Sequence, residues 1–142
     1  MSSQPPARRT VLRGAALAGA AGMGVAATAC GGEVGAKASA TPTAPVDLGS
    51  PDEVPAGGTK IFREDRVLVT QVAEGEYKAF SAVCTHRNCV LNGLREDRAT
   101  CSCHGSEFDT RTGKVVTGPA VAPLPPVPVR TEGGRLIIGP ES

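Results

Sequence analysis

Two short segments contain both histidines of the chain and four of its five cysteines, namely Cys84–Cys89 (CTHRNC) and Cys101–Ser106 (CSCHGS). We call them the first box and the second box. Cysteine thiolates and histidine imidazoles are ligands that hold iron and zinc in proteins. The first box offers Cys-x-His and the second offers Cys-x-x-His. Residues this rare, gathered in so short a stretch, predict a metal centre that takes one pair of ligands from each box.

The residues around the boxes predict short strands separated by turns, and no stretch of this region sustains the periodicity of a helix. The predicted strands are 59–62, 66–72, 77–83, 90–94, 98–102, 107–109, 114–116, 127–130 and 135–138. Glycine (18) and proline (12) are abundant and tryptophan is absent, which favours turns and short strands over helices. We therefore predict an all-β, antiparallel domain that needs a metal or a disulfide to supplement a small core.

The first thirty residues differ in character from the rest of the chain. A basic segment contains Arg8 and Arg9, and a run rich in alanine and glycine follows at 14–29. This run is too short and too weakly apolar to indicate a membrane span. The pattern at 1–30 resembles a twin-arginine export signal, and a disordered basic tail is the alternative.

Cys30 follows the apolar run, directly after three small residues that begin with Ala27. This resembles the cleavage box of a bacterial lipoprotein, although such boxes usually carry leucine where Ala27 stands. Lipidation of Cys30 would tether the protein to a membrane without spanning it; cleavage elsewhere and an uncleaved anchor are the alternatives. The composition of 31–50 predicts a flexible linker or an inert spacer, and we place the folded domain at 51–141.

The two boxes, together with the proline-rich run 118–128, resemble the Rieske iron–sulfur proteins over most of the predicted domain. The resemblance implies a small antiparallel β-sandwich with a cluster-binding loop subdomain and one 2Fe–2S cluster. Carried over by position, Cys84 and Cys101 would bind one iron, and His86 and His104 would bind the other, more exposed iron. Residues 118–126 of this run would be the loop that covers the cluster.

The resemblance also gives Cys89 and Cys103 a role. In the Rieske proteins of cytochrome bc complexes and of arsenite-oxidase-type small subunits, these positions form a disulfide that joins the boxes, whereas oxygenase-type ferredoxins lack the pair. Disulfides persist in oxidising compartments. The cysteine pair and the export signal therefore indicate the same location, which is extracytoplasmic and associated with the membrane of a bacterial cell envelope.

Two further residues bear on the redox potential that the resemblance implies. Ser106 matches a family serine whose hydroxyl donates to a cluster sulfide, and such donors raise the potential. High-potential members carry a tyrosine at the position of Phe108. Because this second donor is missing, we expect a potential below the top of the Rieske range, which runs from about −150 to +300 mV.

Two other interpretations of the boxes stay open at this point. One is a structural zinc site with two cysteines and two histidines, and the other is a disulfide-bonded secreted domain with incidental histidines. Both would be colourless, whereas a Rieske protein is red-brown. The net charge of +1 gives no indication of a nucleic-acid partner. No residue set resembles a catalytic Ser/His/Asp arrangement, so we predict no catalytic residues.

We predict an exported one-electron carrier, tethered to a membrane, whose partner is a redox protein or a quinol-oxidising complex. The alternative is the Rieske subunit of a larger oxidoreductase, either a quinol-oxidising cytochrome bc complex or an arsenite-oxidase-type enzyme. A non-redox binding or structural domain is a third class. The weakly apolar leader argues against a cytochrome bc subunit, which normally keeps a firm transmembrane anchor.

Overall fold

The computed structural model describes residues 41–142. The predicted export signal at 1–30, the lipidation site predicted at Cys30, and residues 31–40 of the predicted linker lie outside the described residues. Within residues 41–142, no helix has the length and apolar character needed to cross a membrane.

Short strands account for most of the regular structure in residues 41–142. They are β1 (Val46–Asp47), β2 (Thr59–Phe62), β3 (Val67–Ala73), β4 (Glu76–Ser81), β5 (Gly93–Arg95), β6 (Arg98–Thr100), β7 (Glu107–Asp109), β8 (Val115–Thr117), β9 (Pro126–Val127), β10 (Val129–Glu132) and β11 (Arg135–Ile138). A 3₁₀ helix at Pro51–Glu53 follows Ser50, whose hydroxyl accepts a hydrogen bond from the backbone N–H of Asp52.

These strands form three sheets in which all neighbours are antiparallel. The terminal sheet has the order β1-β11-β10, and the central sheet has the order β2-β3-β4-β9. The third sheet, β5-β6-β7-β8, lies in the sequence around the second box, and we call it the box sheet. The prediction of an antiparallel all-β fold is confirmed.

Strand β3 is buried on both faces and separates two apolar cores. Val67 and Val69 belong to one core and Leu68 belongs to the other, as the alternation of side chains along a strand requires. All three are fully buried. A strand covered on both faces has a continuous apolar sequence rather than an alternating one, which explains the unbroken run Val67–Val69.

The two cores lie on opposite faces of the central sheet. The core between the terminal and central sheets contains Leu48, Val54, Phe62, Val67, Val69, Ala79, Val127, Leu136 and Ile138. The core beside the box sheet contains Leu68, Phe80, Ala82, Cys84, Leu91, Ala99, Cys101, Phe108, Ala120 and Leu124. Since one cysteine of each box lies in the second core, the packing of this core positions the boxes.

Polar contacts fasten the box sheet to the central sheet. The buried hydroxyl of Thr70 donates to the backbone oxygen of Thr110 at 2.8 Å. The guanidinium of Arg111 contacts Asp97 within the box sheet at 3.3 Å and donates to the backbone oxygen of Gly57 at 3.1 Å. The box sheet is therefore tied to the rest of the domain by hydrogen bonds as well as by the shared core.

The turn that follows β7 is organised by the carboxylate of Asp109. One of its oxygens accepts hydrogen bonds from the backbone N–H groups of Arg111 and Thr112 and from the Thr112 hydroxyl, at 2.8–3.0 Å. Burial alone would raise the pKa of Asp109, but these bonds outweigh it and hold the pKa below its usual range. The ionised carboxylate therefore stabilises this turn.

Three parts of the chain fold differently from the predicted strands. In the part predicted as a strand at 90–94, Val90 forms only an isolated bridge and β5 begins at Gly93. The strand predicted at 127–130 is divided at Pro128, so that β9 pairs with β4 in the central sheet and β10 pairs with β11 in the terminal sheet. Proline has no N–H to donate to a ladder, which makes Pro128 a natural point for the chain to change sheets. Strand β1 was not predicted, because only two residues pair.

Candidate metal centre

Each box forms the loop of a hairpin. The first box lies between Val83 and Val90, which form an isolated antiparallel bridge. The second box lies between β6 and β7, where Thr100 pairs with Glu107. Because strand ends fix where a hairpin loop begins and ends, both boxes are held at their bases, and the residues between those bases form the site.

The first box is closed by two backbone hydrogen bonds. The N–H of Cys84 donates to the carbonyl of Cys89 at 2.7 Å, and the N–H of Asn88 donates to the carbonyl of Cys84 at 2.9 Å. Asn88 has a φ of 61°, a left-handed conformation that asparagine adopts more readily than most residues. The loop therefore turns tightly around Cys84.

The second box repeats this closure with different residues. The N–H of Cys101 donates to the carbonyl of Ser106 at 2.8 Å, and the N–H of Gly105 donates to the carbonyl of Cys101 at 2.9 Å. Gly105 has a φ of 80°, a conformation in which glycine carries no steric penalty. The two boxes thus share one backbone design, in which the first cysteine of each loop occupies the same position.

The leading cysteines of the boxes are the buried side of the site. Cys84 and Cys101 have free thiols and are 2% and 1% exposed. Burial raises the pKa of the Cys101 thiol above its ordinary value, and the neighbouring thiol of Cys84 raises it further. The raised pKa of Cys101 disfavours its thiolate in the absence of a metal, so metal binding at this thiol would be coupled to the loss of its proton.

The two histidines form the outer side of the site. The ring centroids of His86 and His104 are 4.8 Å apart and the ring planes are nearly perpendicular, at 88°. His86 is partly buried and His104 is exposed. The Nδ1 atom of His86 is buried and has no hydrogen-bond partner among the described residues. An unpaired buried nitrogen costs free energy, and a metal ion bound to it would remove that cost.

Cys89 and Cys103 form a disulfide that joins the two boxes, with their Cα atoms 6.6 Å apart. This confirms the pairing that the resemblance implied. The sulfur atoms of Cys89, Cys101 and Cys103 lie within 4.8 Å of one another. Because two of these three sulfurs are bonded to each other, they are not metal ligands. The disulfide instead holds the boxes together directly beside the free thiol of Cys101.

The proline-rich segment 118–126, which we call the proline loop, is bonded to both boxes. The N–H of Ala120 donates to the Oγ atom of Ser106 in the second box at 3.0 Å. The hydroxyl of Thr85 in the first box donates to the carbonyl of Ala122 at 2.6 Å. One hydrogen bond to each box fixes the loop beside the site, and both anchors are neighbours of Val121.

Ser106 is fully buried, and its hydroxyl oxygen is already used as a hydrogen-bond acceptor. The oxygen already accepts a hydrogen bond from Ala120, so this side of the hydroxyl is occupied. The hydroxyl hydrogen has no acceptor among the described residues. It is therefore free to donate to a group bound between the boxes. Phe108, also fully buried, lies in the same core as Cys84 and Cys101 and brings no donor.

Sequence reasoning missed three supporting residues. Asn92 donates to the hydroxyl of Ser102 at 2.7 Å and accepts from the backbone N–H of Ser102 at 3.2 Å. Thr85 holds the proline loop in the way described above. These contacts join positions that are 10 and 37 residues apart, and no periodicity or turn signal in the sequence indicates them.

The fold and the site define a small all-β protein with a metal centre held by two disulfide-linked hairpin loops. A family profile for the Rieske [2Fe-2S] domain matches residues 43–128, which is more than half of the chain. The chain therefore belongs to the Rieske [2Fe-2S] domain family, as the boxes predicted, and binds one 2Fe–2S cluster. The donor set fits that cluster, since the two free thiols are neighbours, the two imidazoles are neighbours, and one imidazole nitrogen is unpaired.

Other proteins are similar in sequence to part of this chain. The cytochrome b6-f complex iron-sulfur subunit of Chlorobaculum thiosulfatiphilum is 40% identical over 94 residues, which cover 64% of this chain and 51% of that protein. Sulredoxin of Sulfurisphaera tokodaii is 40% identical over 65 residues, which cover 44% of this chain and 60% of sulredoxin. The chain thus spans about half the length of the cytochrome b6-f relative it matches.

Solved structures show the same fold. A plasma membrane Rieske protein from the cyanobacterium Synechocystis PCC 6803 matches with a TM-score of 0.54 and 28% identity, over 67% of this chain and 99% of that one. The ferredoxin of carbazole 1,9a-dioxygenase from Nocardioides aromaticivorans IC177 matches with a TM-score of 0.53 and 24% identity, over 70% of this chain and 100% of that one. At this identity, the ferredoxin indicates the fold alone.

Proposed function

We propose that Cys84 and Cys101 bind one iron of the 2Fe–2S cluster and that His86 and His104 bind the other. The observation that carries this assignment is a pair of buried free thiols and a pair of adjacent imidazoles, one of which has a buried Nδ1 without a hydrogen-bond partner among the described residues. When bound, such a cluster accepts and donates one electron at a time.

The residues around the cluster have separate tasks in this proposal. The core packs against the thiols and excludes water from the cysteine side. The exposed imidazole of His104 gives the electron its shortest path to a partner. The disulfide Cys89–Cys103 and the proline loop keep the boxes at a fixed separation. Little therefore moves when the charge of the site changes, which favours rapid electron transfer.

Single substitutions test the ligand assignment. The purified protein should be red-brown and should contain two iron and two sulfide per chain. Replacing any one of Cys84, His86, Cys101 or His104 by alanine should abolish both colour and bound sulfide. Arg87→Ala, a change in the first box that removes neither a proposed ligand nor a side-chain hydrogen bond within residues 41–142, serves as the matched control and should retain the cluster. A colourless protein with one bound zinc would refute the proposal.

We also propose that this protein is an exported electron carrier tethered to a membrane. The proposal rests on the paired arginines Arg8 and Arg9, on Cys30, and on a disulfide that needs an oxidising compartment. In it, residues 1–30 are the signal, 31–50 the linker and 51–141 the electron-transfer domain. Replacing both arginines by lysine should leave the protein in the cytoplasm. Cys30→Ser should release the exported protein from membranes.

A second candidate function is that of a Rieske subunit within a larger oxidoreductase. The observation that favours it is the similarity to the iron-sulfur subunit of the cytochrome b6-f complex of Chlorobaculum thiosulfatiphilum. Mild detergent extraction followed by native electrophoresis distinguishes the two candidates. Migration with cytochromes in one stable assembly supports the subunit function. The larger oxidoreductase would then be a quinol-oxidising cytochrome bc complex or an arsenite-oxidase-type enzyme. Migration as a single small protein supports the freestanding carrier.

A further inference from the structure

Arg87 is the only charged residue within the segments that surround the proposed histidine ligands. Those segments are the two boxes and the proline loop, and all their remaining residues are apolar, small, polar without charge, or proposed ligands. Arg87 directly follows His86 and is exposed. Arg87 is therefore the one permanent charge that these three segments contribute beside the proposed histidine ligands.

The guanidinium of Arg87 is not engaged by the protein itself. Ion pairs within the described part of the chain involve Lys60, Arg98, Arg111, Arg130 and Arg135. The other six basic residues there form none, and Arg87 is the one of the six that lies next to a proposed ligand. Arg87 has neither an ion pair nor a side-chain hydrogen bond to residues 41–142. Arginine presents a planar array of donors that matches a carboxylate, so an unpaired arginine here is available to a partner.

The proline loop, which is bonded to the first box at Thr85, carries an exposed apolar side chain. Val121 is 94% exposed, although its neighbours Ala120 and Ala122 are each bonded to a box. A valine projecting from a fixed loop makes a rigid apolar contact point that costs little conformational entropy when a partner docks. The end of the domain thus combines an apolar contact with a single cation.

We propose that Arg87 selects the redox partner of this protein, and that this partner is a protein whose docking face carries carboxylates beside its own redox group. The inference rests on the proposed electron-transfer function, in which the electron leaves through the histidine side. A carboxylate opposite Arg87 would accelerate the encounter and orient the partner toward His86 and His104. A basic docking face would be repelled by the same charge.

The test uses the full-length, cluster-loaded protein and two forms of one electron acceptor. Mitochondrial cytochrome c is basic, and its succinylated form is acidic because the lysines carry carboxylates. The oxidation of the reduced protein is followed by stopped-flow absorbance against each form at about 10 mM ionic strength, where charges act over about 30 Å. We expect Arg87→Glu to slow the reaction with the succinylated form by about tenfold and to accelerate the reaction with the native form.

Arg95→Glu is the matched control, since it changes the net charge of the protein by the same amount. Arg95 is exposed and pairs with Arg98 at the turn end of the β5–β6 hairpin, away from the second box. This variant should change either rate by less than about threefold, and all differences should fall in 0.5 M salt. Midpoint potentials of both variants are measured so that a change in driving force is recognised.

Equal effects of Arg87→Glu and Arg95→Glu would overturn the proposed role of Arg87, because the effect would then depend on net charge and not on position. That result would leave the electron-transfer function intact, since the protein would still be oxidised by both acceptors. If the wild-type protein held no iron and gave no redox signal, the proposed function itself would fail. The two failures are therefore distinguishable.

Discussion

Removal of the Ser106 hydroxyl should lower the midpoint potential of the cluster by about 60 mV. A hydrogen bond to a charged group contributes about 1.5–3 kcal/mol, and only the difference between the oxidised and reduced states affects the potential. If about half of that energy is differential, the change reaches about 1.4 kcal/mol near the upper end of the range, or about 59 mV for one electron. Ser106 meets the structural requirement, because it is fully buried and its oxygen already accepts from Ala120.

The substitution Ser106→Ala has two effects that must be separated. It removes a donor to the cluster, and it also leaves the Ala120 N–H without its partner. Thr85→Val is the matched control, because it removes a hydroxyl that bonds the same loop from the other box at 2.6 Å. Both variants should lose about 1–2 kcal/mol of stability, but the Thr85 variant should shift the potential by less than about 15 mV.

The assay is a redox titration at pH 7, followed by visible circular dichroism, on the wild-type protein and both variants. Thermal unfolding of the same samples shows whether the loss of stability is comparable. If the two variants shift the midpoint potential equally, the loop position and not the hydroxyl controls the potential. That result would refute the assignment of Ser106 as a donor.

The remaining predictions concern the potential, the disulfide and the turn. Phe108→Tyr places a hydroxyl in the core that contains both thiols and should raise the midpoint potential by roughly 30–60 mV; an unchanged value would show that no donor reaches the site. Replacing Cys89 and Cys103 by alanine removes a cross-link between residues with a sequence separation of 14. The free energy of unfolding should fall by about 3 kcal/mol, and the temperature at which the cluster is lost should fall by roughly 10 °C or more. An unaltered temperature would contradict this. The pKa of Asp109 is lower in the folded protein than in the unfolded chain, where it is about 3.9. The ionised carboxylate therefore stabilises the fold fully above a pH of about 3.9, and this stabilisation is lost as the pH falls through the pKa of the folded state. Asp109→Asn should therefore lose less stability than wild type between pH 5 and pH 3, as measured by urea unfolding, and equal losses would exclude this carboxylate as a source of acid sensitivity.

The strands that could be predicted from sequence are those bounded by strong turn signals. The predicted strands 59–62, 107–109 and 135–138 coincide with β2, β7 and β11. Short apolar or alternating runs between glycine and charged turns carry enough local information for this. By contrast, β1 is two residues long and exists only because Val46 pairs with Ile138 at the far end of the chain, and such a long-range pairing leaves no local pattern.

The site was predictable to the extent that it depends on residue type. Rare ligands in two boxes indicated the metal centre, and the family resemblance indicated the disulfide between Cys89 and Cys103. The supporting contacts were not predictable, because Thr85 and Asn92 are common residues whose partners are determined only by how the loops pack. The matching closure of the two boxes was hidden as well, since the left-handed position is filled by Asn88 in one and Gly105 in the other.

The asymmetry of the site separates two properties that a redox protein must adjust. The thiols of Cys84 and Cys101 face a dry core, where a single added donor acts at low dielectric and has a large effect on potential. The histidine side faces solvent, where Arg87 is screened from the cluster but fully available to a partner. Substitutions in the core should therefore change the potential more than the choice of partner, and a substitution at Arg87 should do the reverse. In the proposed ligand arrangement, the potential and the choice of partner depend on opposite sides of the cluster, so that a substitution can change one and leave the other.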